Sequence, residues 1–136
     1  MTNGTHPSPS LDETEAVAAR GATGQRITLS FIKNNIAMVR YALASDMTLE
    51  DLPSDHPFLR LTLCFVVTRA GFVVVGTSAP IDPQNFDAEK GKTFAYEDAL
   101  KQLWPLFAFA ELERAHRLRA AASVPLAAVQ GEGGPA

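Results

Sequence analysis

The residues that most resemble a chemical motif are Gly91-Lys92-Thr93, which match the end of a phosphate-binding loop. Such a loop also has a glycine five residues before its Gly-Lys pair, because its backbone N–H groups must turn inward toward the phosphates. Phe86 occupies that position here, and the carboxylates of Asp87 and Glu89 would repel an arriving phosphate. The triplet therefore does not predict an NTPase.

No other combination of side chains predicts catalysis or metal binding. Glu97 and Asp98 are adjacent, so on a helix they project about 100° apart and cannot face one substrate as a catalytic pair. The three histidines are widely separated in the sequence: His6, His56 and His116. We therefore expect a protein that is not an enzyme and that binds no metal or cofactor.

Length, charge and cysteine content narrow the class of protein. A chain of 136 residues suits one domain, and its formal net charge of -3 gives no overall attraction to nucleic acid or to an acidic membrane surface. The single cysteine, Cys64, lies in an apolar run, which is typical of a core residue in a reducing compartment. With no apolar stretch long enough to span a bilayer, the sequence predicts a cytoplasmic protein without nucleic-acid or membrane partners.

Composition divides the chain into one domain and two tails. Residues 1–25 contain prolines, glycines and scattered acids, and residues 120–136 are rich in alanine and glycine. Neither segment has enough large apolar side chains to offset the entropy of ordering. We predict disordered tails at 1–25 and 120–136 and a single domain at 26–119.

The domain is predicted to begin with an amphipathic helix. Thr28 is a suitable N-cap, and the apolar residues after it recur at spacings of three and four. These residues are Leu29, Ile32, Ile36, Val39 and Leu43. The spacing predicts a helix over residues 29–45.

A β-hairpin is predicted next. Apolar and other residues alternate over 59–68, and after a short turn that contains Gly71 a β-branched run follows over 72–78. Because an isolated hairpin is marginally stable in water, it needs helices on one face or strands from another copy of the chain.

The last element is predicted to be a long helix. Asn85 is a candidate cap, and Gly91, Ala95 and Ala99 form a stripe of small residues that allows another backbone to approach closely. Pro105 is expected to end or kink this helix. The fold class is therefore α+β: an antiparallel β-hairpin packed against an N-terminal helix and a long C-terminal helix kinked near Pro105.

A string of short motifs runs from the hairpin turn into the last helix. It comprises Gly71-Phe72, Val75-Gly76-Thr77-Ser78, Asp82-Pro83-Gln84-Asn85-Phe86-Asp87-Ala88-Glu89, then Gly91, Ala95 and Ala99, and Leu103-Trp104-Pro105-Leu106. Over residues 26–112 the chain resembles the tailed-phage gene-product-forty-nine family. It departs from that pattern at Thr77, at Pro80 and over residues 107–109. The resemblance implies a phage-encoded protein of a family whose function is largely unknown.

A cluster of basic residues near the end of the last helix suggests an anion site. Arginine forks hold phosphates bidentately, an aromatic ring can stack on a base, and N–H groups at a helix start can contact an anion. The candidate ligand-binding residues are Asn85, Tyr96, Arg114 and Arg117. The simpler interpretation is that the arginines form a solvated helix end, with Glu113 and Arg117 paired.

Two functions of different classes fit the sequence. In the first, the chain is a non-enzymatic phage accessory protein that binds a host component, in its most concrete form by sequestering a nucleotide-derived immune signal as an anti-defence protein. In the alternative, it is a protein-interaction or minor structural phage module without a small-molecule ligand, with Phe107, Phe109 and Leu112 as its interface. Both predict a homo-oligomer, because a hairpin leaves an exposed sheet edge.

Overall fold

The computed structural model describes residues 10–19 and 26–123. The helices are α1 (Leu11–Ala19), α2 (Leu29–Asn34) and α3 (Ala88–Ser123), and the strands are β1 (Ile36–Leu43), β2 (Thr62–Thr68) and β3 (Val73–Ser78). Short 3-10 turns occupy Ala44–Met47, Pro57–Arg60 and Pro83–Asn85.

The three strands form one antiparallel sheet in the order β1-β2-β3. Strands β2 and β3 are the predicted hairpin, and Gly71 in its turn has a φ of 95°, a left-handed conformation that glycine adopts without a steric penalty. Alternate β2 residues are buried because α3 covers one face of the sheet. The predicted α+β class, with its hairpin, N-terminal helix and long C-terminal helix, is confirmed.

The predicted helix over residues 29–45 is wrong in its second half. The helix ends at Asn34, and Ile36–Leu43 is the strand β1. An irregularity in the register between Ile36 and Met38 explains the misleading pattern. It places Ile36 and Val39, three residues apart, on the same sheet face, and Leu43 follows four residues later. A bulged strand thus reproduces the spacing of three and four that is typical of a helix.

The N-terminal helix α1 falls within the segment that was predicted to be a tail. Leu11 at its start is buried in the core, and Arg26 forms an ion pair of 3.0 Å with Glu15. At the other end α3 continues to Ser123, past the predicted domain limit at residue 119. The tail predictions for residues 1–9, 20–25 and 124–136 lie outside the described residues.

The core depends on a close contact between α3 and the sheet. Gly91, Ala95 and Ala99 are buried on one side of α3, so the predicted stripe of small residues is confirmed. A methyl group at Gly76 in β3 would overlap the carbonyl oxygen of Ala95 and lie 2.6 Å from the amide nitrogen of Ala99. Because Gly91 lies inside this helix, the triplet that begins with it does not form a phosphate-binding loop.

Helix α3 is a continuous element of 36 residues that contains Pro105. The proline therefore does not end the helix, although its missing N–H removes one intrahelical hydrogen bond. The last fully buried residue of α3 is Leu103. The half of α3 after Pro105 extends beyond the main core.

Replacement of Gly76 by alanine should destabilise the domain by about 3 kcal/mol or more, because either the backbone of α3 or that of β3 must move to admit the methyl group. Thr77→Ala is the matched control, since Thr77 is exposed on the same strand. Its cost should stay below about 1 kcal/mol. Urea unfolding of both variants measures the difference, and equal stabilities would contradict the close contact.

Candidate functional site

Two tyrosines and a lysine lie together where β1 meets the first half of α3. Tyr41 pairs across the sheet with Cys64, which is buried under α3, while Lys92 and Tyr96 are one helical turn apart. The ammonium group of Lys92 lies 5.8 Å from the centre of the Tyr41 ring, within cation–π range. We call Tyr41, Lys92 and Tyr96 the tyrosine cluster.

Partial burial controls the ionisation of the cluster. It raises the pKa of both Tyr41 and Tyr96, and the nearby Cys64 thiol raises each further. The phenols therefore remain protonated at neutral pH and present neutral aromatic faces. Lys92 also lies 3.6 Å from the carboxylate of Glu89 on the exposed side of the helix.

This arrangement suits binding better than covalent chemistry. Neutral aromatic rings stack on planar groups, and an exposed ammonium attracts an anion. The thiol of Cys64 lies nearby, but it is fully buried, and burial raises its pKa. It behaves as a packed apolar residue.

The predicted ligand-binding residues do not meet within one chain. Tyr96 belongs to the tyrosine cluster, but Arg114 is 18 positions further along α3, roughly 27 Å at 1.5 Å per residue. Asn85 lies in a 3-10 turn before the helix. It does not cap α3, because the carboxylate of Asp87 accepts the N–H of Lys90 at 3.0 Å and performs that role.

The two arginines are paired on the helix surface. Arg114 contacts Glu111 at 3.0 Å, and this hydrogen bond raises the pKa of the guanidinium. Arg117 lies 3.6 Å from Glu113, as the simpler interpretation predicted. These carboxylates offset the positive charge at this end of α3, so the anion-binding role of the arginines has little support from the geometry of one chain.

The predicted interface residues separate into two environments. Phe107 is partly buried and meets the ring of Phe31 edge-on, with centroids 5.5 Å apart. Phe109 and Leu112 are 62% and 70% exposed. Only these two face solvent, and they define the exposed helix stripe.

An apolar pocket lies where the hairpin turn approaches α3. Its volume is about 200 Å³. It is lined by Thr68, Ala70, Phe72, Leu103, Leu106, Phe107 and Ala110. Because Phe107 forms its floor together with core residues, the pocket is a gap at the margin of the core.

Comparison with known proteins gives one family. A model described as the phage protein (N4 Gp49/phage Sf6 gene 66) family matches residues 27–114. The chain belongs to this phage protein family. The matched region runs from before α2 into the second half of α3, and it includes the tyrosine cluster and the exposed helix stripe. No curated protein and no solved structure matches the chain.

Two further findings concern the part of this phage protein that the structure describes. Within residues 10–19 and 26–123, no helix is long and apolar enough to cross a membrane. Over the same residues, no group of three or more histidine, cysteine or acidic side chains is arranged to hold a metal ion.

Sequence reasoning missed Tyr41 and Lys92. Tyr41 lies in the segment 29–45 that the sequence predicts to be helical, and Lys92 was considered as part of a possible phosphate-binding loop. The usable signal was the four-residue spacing of Lys92 and Tyr96, which places both on the same side of α3.

The thiol of Cys64 in this phage protein should react slowly with Ellman's reagent in the native state and quickly in denaturant, because it is buried and its raised pKa keeps it protonated. The native rate should stay low as the pH rises through the ordinary thiol range, since the folded state favours the neutral form until the raised pKa is reached. A native rate equal to the denatured rate would show that the site is open.

Proposed function

We propose that this phage protein is a non-enzymatic accessory protein that binds a host component in the host cytoplasm. The observation that carries the proposal is the exposed helix stripe. Large apolar side chains on one part of a helix surface are typical of a site that packs against a partner. Phe109 and Leu112 are such side chains.

The position of the stripe on α3 strengthens the argument. The helix packs on the domain as far as Ala110, which lines the apolar pocket, and then continues for 13 residues to Ser123. These residues lack the tertiary packing that supplies most of the stability of helices in proteins. The pairs Glu111–Arg114 and Glu113–Arg117 contribute little stability, because solvent screens ion pairs on an exposed helix surface. A bound partner would supply the missing packing.

Phe109→Asp and Leu112→Asp should each weaken capture of the partner at least tenfold without unfolding the domain, because they place a charge in an apolar contact. The matched control is Phe94→Asp on the first half of α3, where Phe94 is 53% exposed. Tagged protein expressed in host cells, with and without phage infection, is purified, and the captured proteins are identified by mass spectrometry. Circular dichroism confirms the fold.

The outcomes separate the candidate functions. The proposal is supported if both stripe variants no longer capture one host protein that the native protein and Phe94→Asp still capture. If both stripe variants instead no longer capture a phage protein, the result supports the alternative of a minor structural phage module. If all three variants capture the same proteins equally, the stripe is not a binding surface.

A second candidate function is the sequestration of a nucleotide-derived immune signal, and the tyrosine cluster favours it. A nucleotide combines a planar base with phosphates, which matches aromatic rings beside an ammonium group. Since Arg114 and Arg117 of the same chain lie far along α3 from Tyr96, their predicted part in such a site requires a second copy.

Isothermal titration against a panel of cyclic and ADP-ribose-type nucleotides tests this second function. Lys92→Gln should weaken binding about five- to thirtyfold, since one partly desolvated cationic contact is worth about 1–2 kcal/mol. Lys101→Gln, on an exposed side of the same helix, is the matched control. An absence of heat with every nucleotide would rule out the nucleotides of the panel as ligands.

A further inference from the structure

The sheet face opposite α3 is apolar and uncovered by the described residues. Its larger side chains are Met38, Leu63, Phe65, Val67, Val73 and Val75. The outer ones on β1 and β3 are strongly exposed, with Val73 at 50%. We call this surface the open face.

The strand register makes the open face continuous. Phe65 pairs with Arg40 on one side and Val75 on the other, and Val67 lies between Met38 and Val73. Arg40 is the one charged side chain among the three cross-strand rows centred on Leu63, Phe65 and Val67, and it lies on the edge strand. The centre of the sheet therefore presents hydrocarbon without a charge to orient a polar ligand.

Side chains already form hydrogen bonds with backbone groups at both edges of the sheet. On β3, the N–H of Thr77 donates to Asp98 at 2.9 Å, and the carbonyl oxygen of Val75 accepts from Gln102 at 2.8 Å. On β1, the guanidinium of Arg40 donates to the carbonyl oxygen of Val39 at 2.8 Å. Charged and hydrogen-bonded edges disfavour the addition of another strand. A partner of this sheet is expected to pack on its face, which differs from the edge pairing expected from the sequence.

The open face alone is smaller than a stable interface. Three strands about 4.8 Å apart with three outward residues each span roughly 14 by 20 Å, or about 280 Å², whereas a stable interface buries about 800 Å² per partner. The remaining area is available at one end of the sheet, where β1 and β3 finish and β2 begins. Met47, Leu49, Phe58 and Ile81 are exposed there, with Leu49 and Ile81 almost fully so.

We propose that this chain forms a two-fold symmetric homodimer in which the open faces of two copies pack against each other as a β-sandwich. Under two-fold symmetry the apolar open face of one copy meets the same apolar face of the other, together with the same loop side chains, so the polarity of the two surfaces matches. A different partner would need a flat apolar surface of its own, which soluble monomers rarely expose. This dimer does not depend on the proposed host-binding function, and it leaves α3 on the outside of each copy.

Light scattering after size exclusion, at micromolar concentration, tests the dimer. The native protein should have twice the chain mass of 14.6 kDa. Val75→Asp and Met38→Asp should each give the mass of a single chain while the helical circular dichroism is retained. Phe109→Asp, a charge of the same kind on α3, should remain dimeric. The Tm of the native protein should rise with its concentration, because dissociation accompanies unfolding.

Each result decides the proposal. A native mass of one chain, a Tm that does not vary with concentration, or open-face variants that remain dimeric would each overturn it. If Phe109→Asp dissociates the dimer, the interface lies on α3, and the proposal is overturned. If the aspartate variants do not fold, Val75→Thr and Met38→Gln should raise the dissociation constant of a folded protein, and an unchanged constant would count against the open face.

Discussion

The backbone of α3 lies in direct contact with the backbone of β3. Other contacts between α3 and the sheet depend on this short distance between the two backbones. Gly76 permits it, because a methyl group there would lie 2.6 Å from the amide nitrogen of Ala99. At this distance the side chains of Asp98 and Gln102 reach the edge of β3 and satisfy two of its outward backbone groups, the N–H of Thr77 and the carbonyl oxygen of Val75. The first half of α3 therefore packs on one face of the sheet and also contacts one of its edges.

Sequence patterns predicted the elements that are governed by local rules. The small residues Gly91, Ala95 and Ala99 lie four apart, so they share one side of a helix. The hairpin has alternation over residues 59–68 and a β-branched run after the turn at Gly71. Strand β1 was not predictable in the same way. Its bulge after Ile36 shifts the alternation by one residue, and the hydrogen bonds that hold it come from β2, whose paired residues are 19 or more positions away in the sequence.

The incorrect prediction of a helix over residues 36–43 also concealed half of the candidate site. Tyr96 was predicted as an aromatic ring that could stack on a base, but its neighbour Tyr41 belongs to β1 and becomes adjacent only when that strand pairs with β2. The distance between Tyr96 and Arg114 could not be predicted from the sequence either, because it depends on α3 continuing without a break through Pro105. A helix that had ended there would have allowed the chain to fold back and bring the arginines closer.

The helices of this domain are placed almost entirely on one side of the sheet. A helix is about 10 Å wide and strands are about 4.8 Å apart, so α3 covers β2 and β3, and the tyrosine cluster lies beside it over β1. An antiparallel sheet commonly has one face packed on the core and one face in water, but the solvated face is then usually polar. Here the long helix extends past the sheet instead of turning back across its other face, and the remaining described helices are short. The described residues therefore leave an apolar face over Phe65 and its neighbours uncovered, and this is the surface that the proposed homodimer would bury.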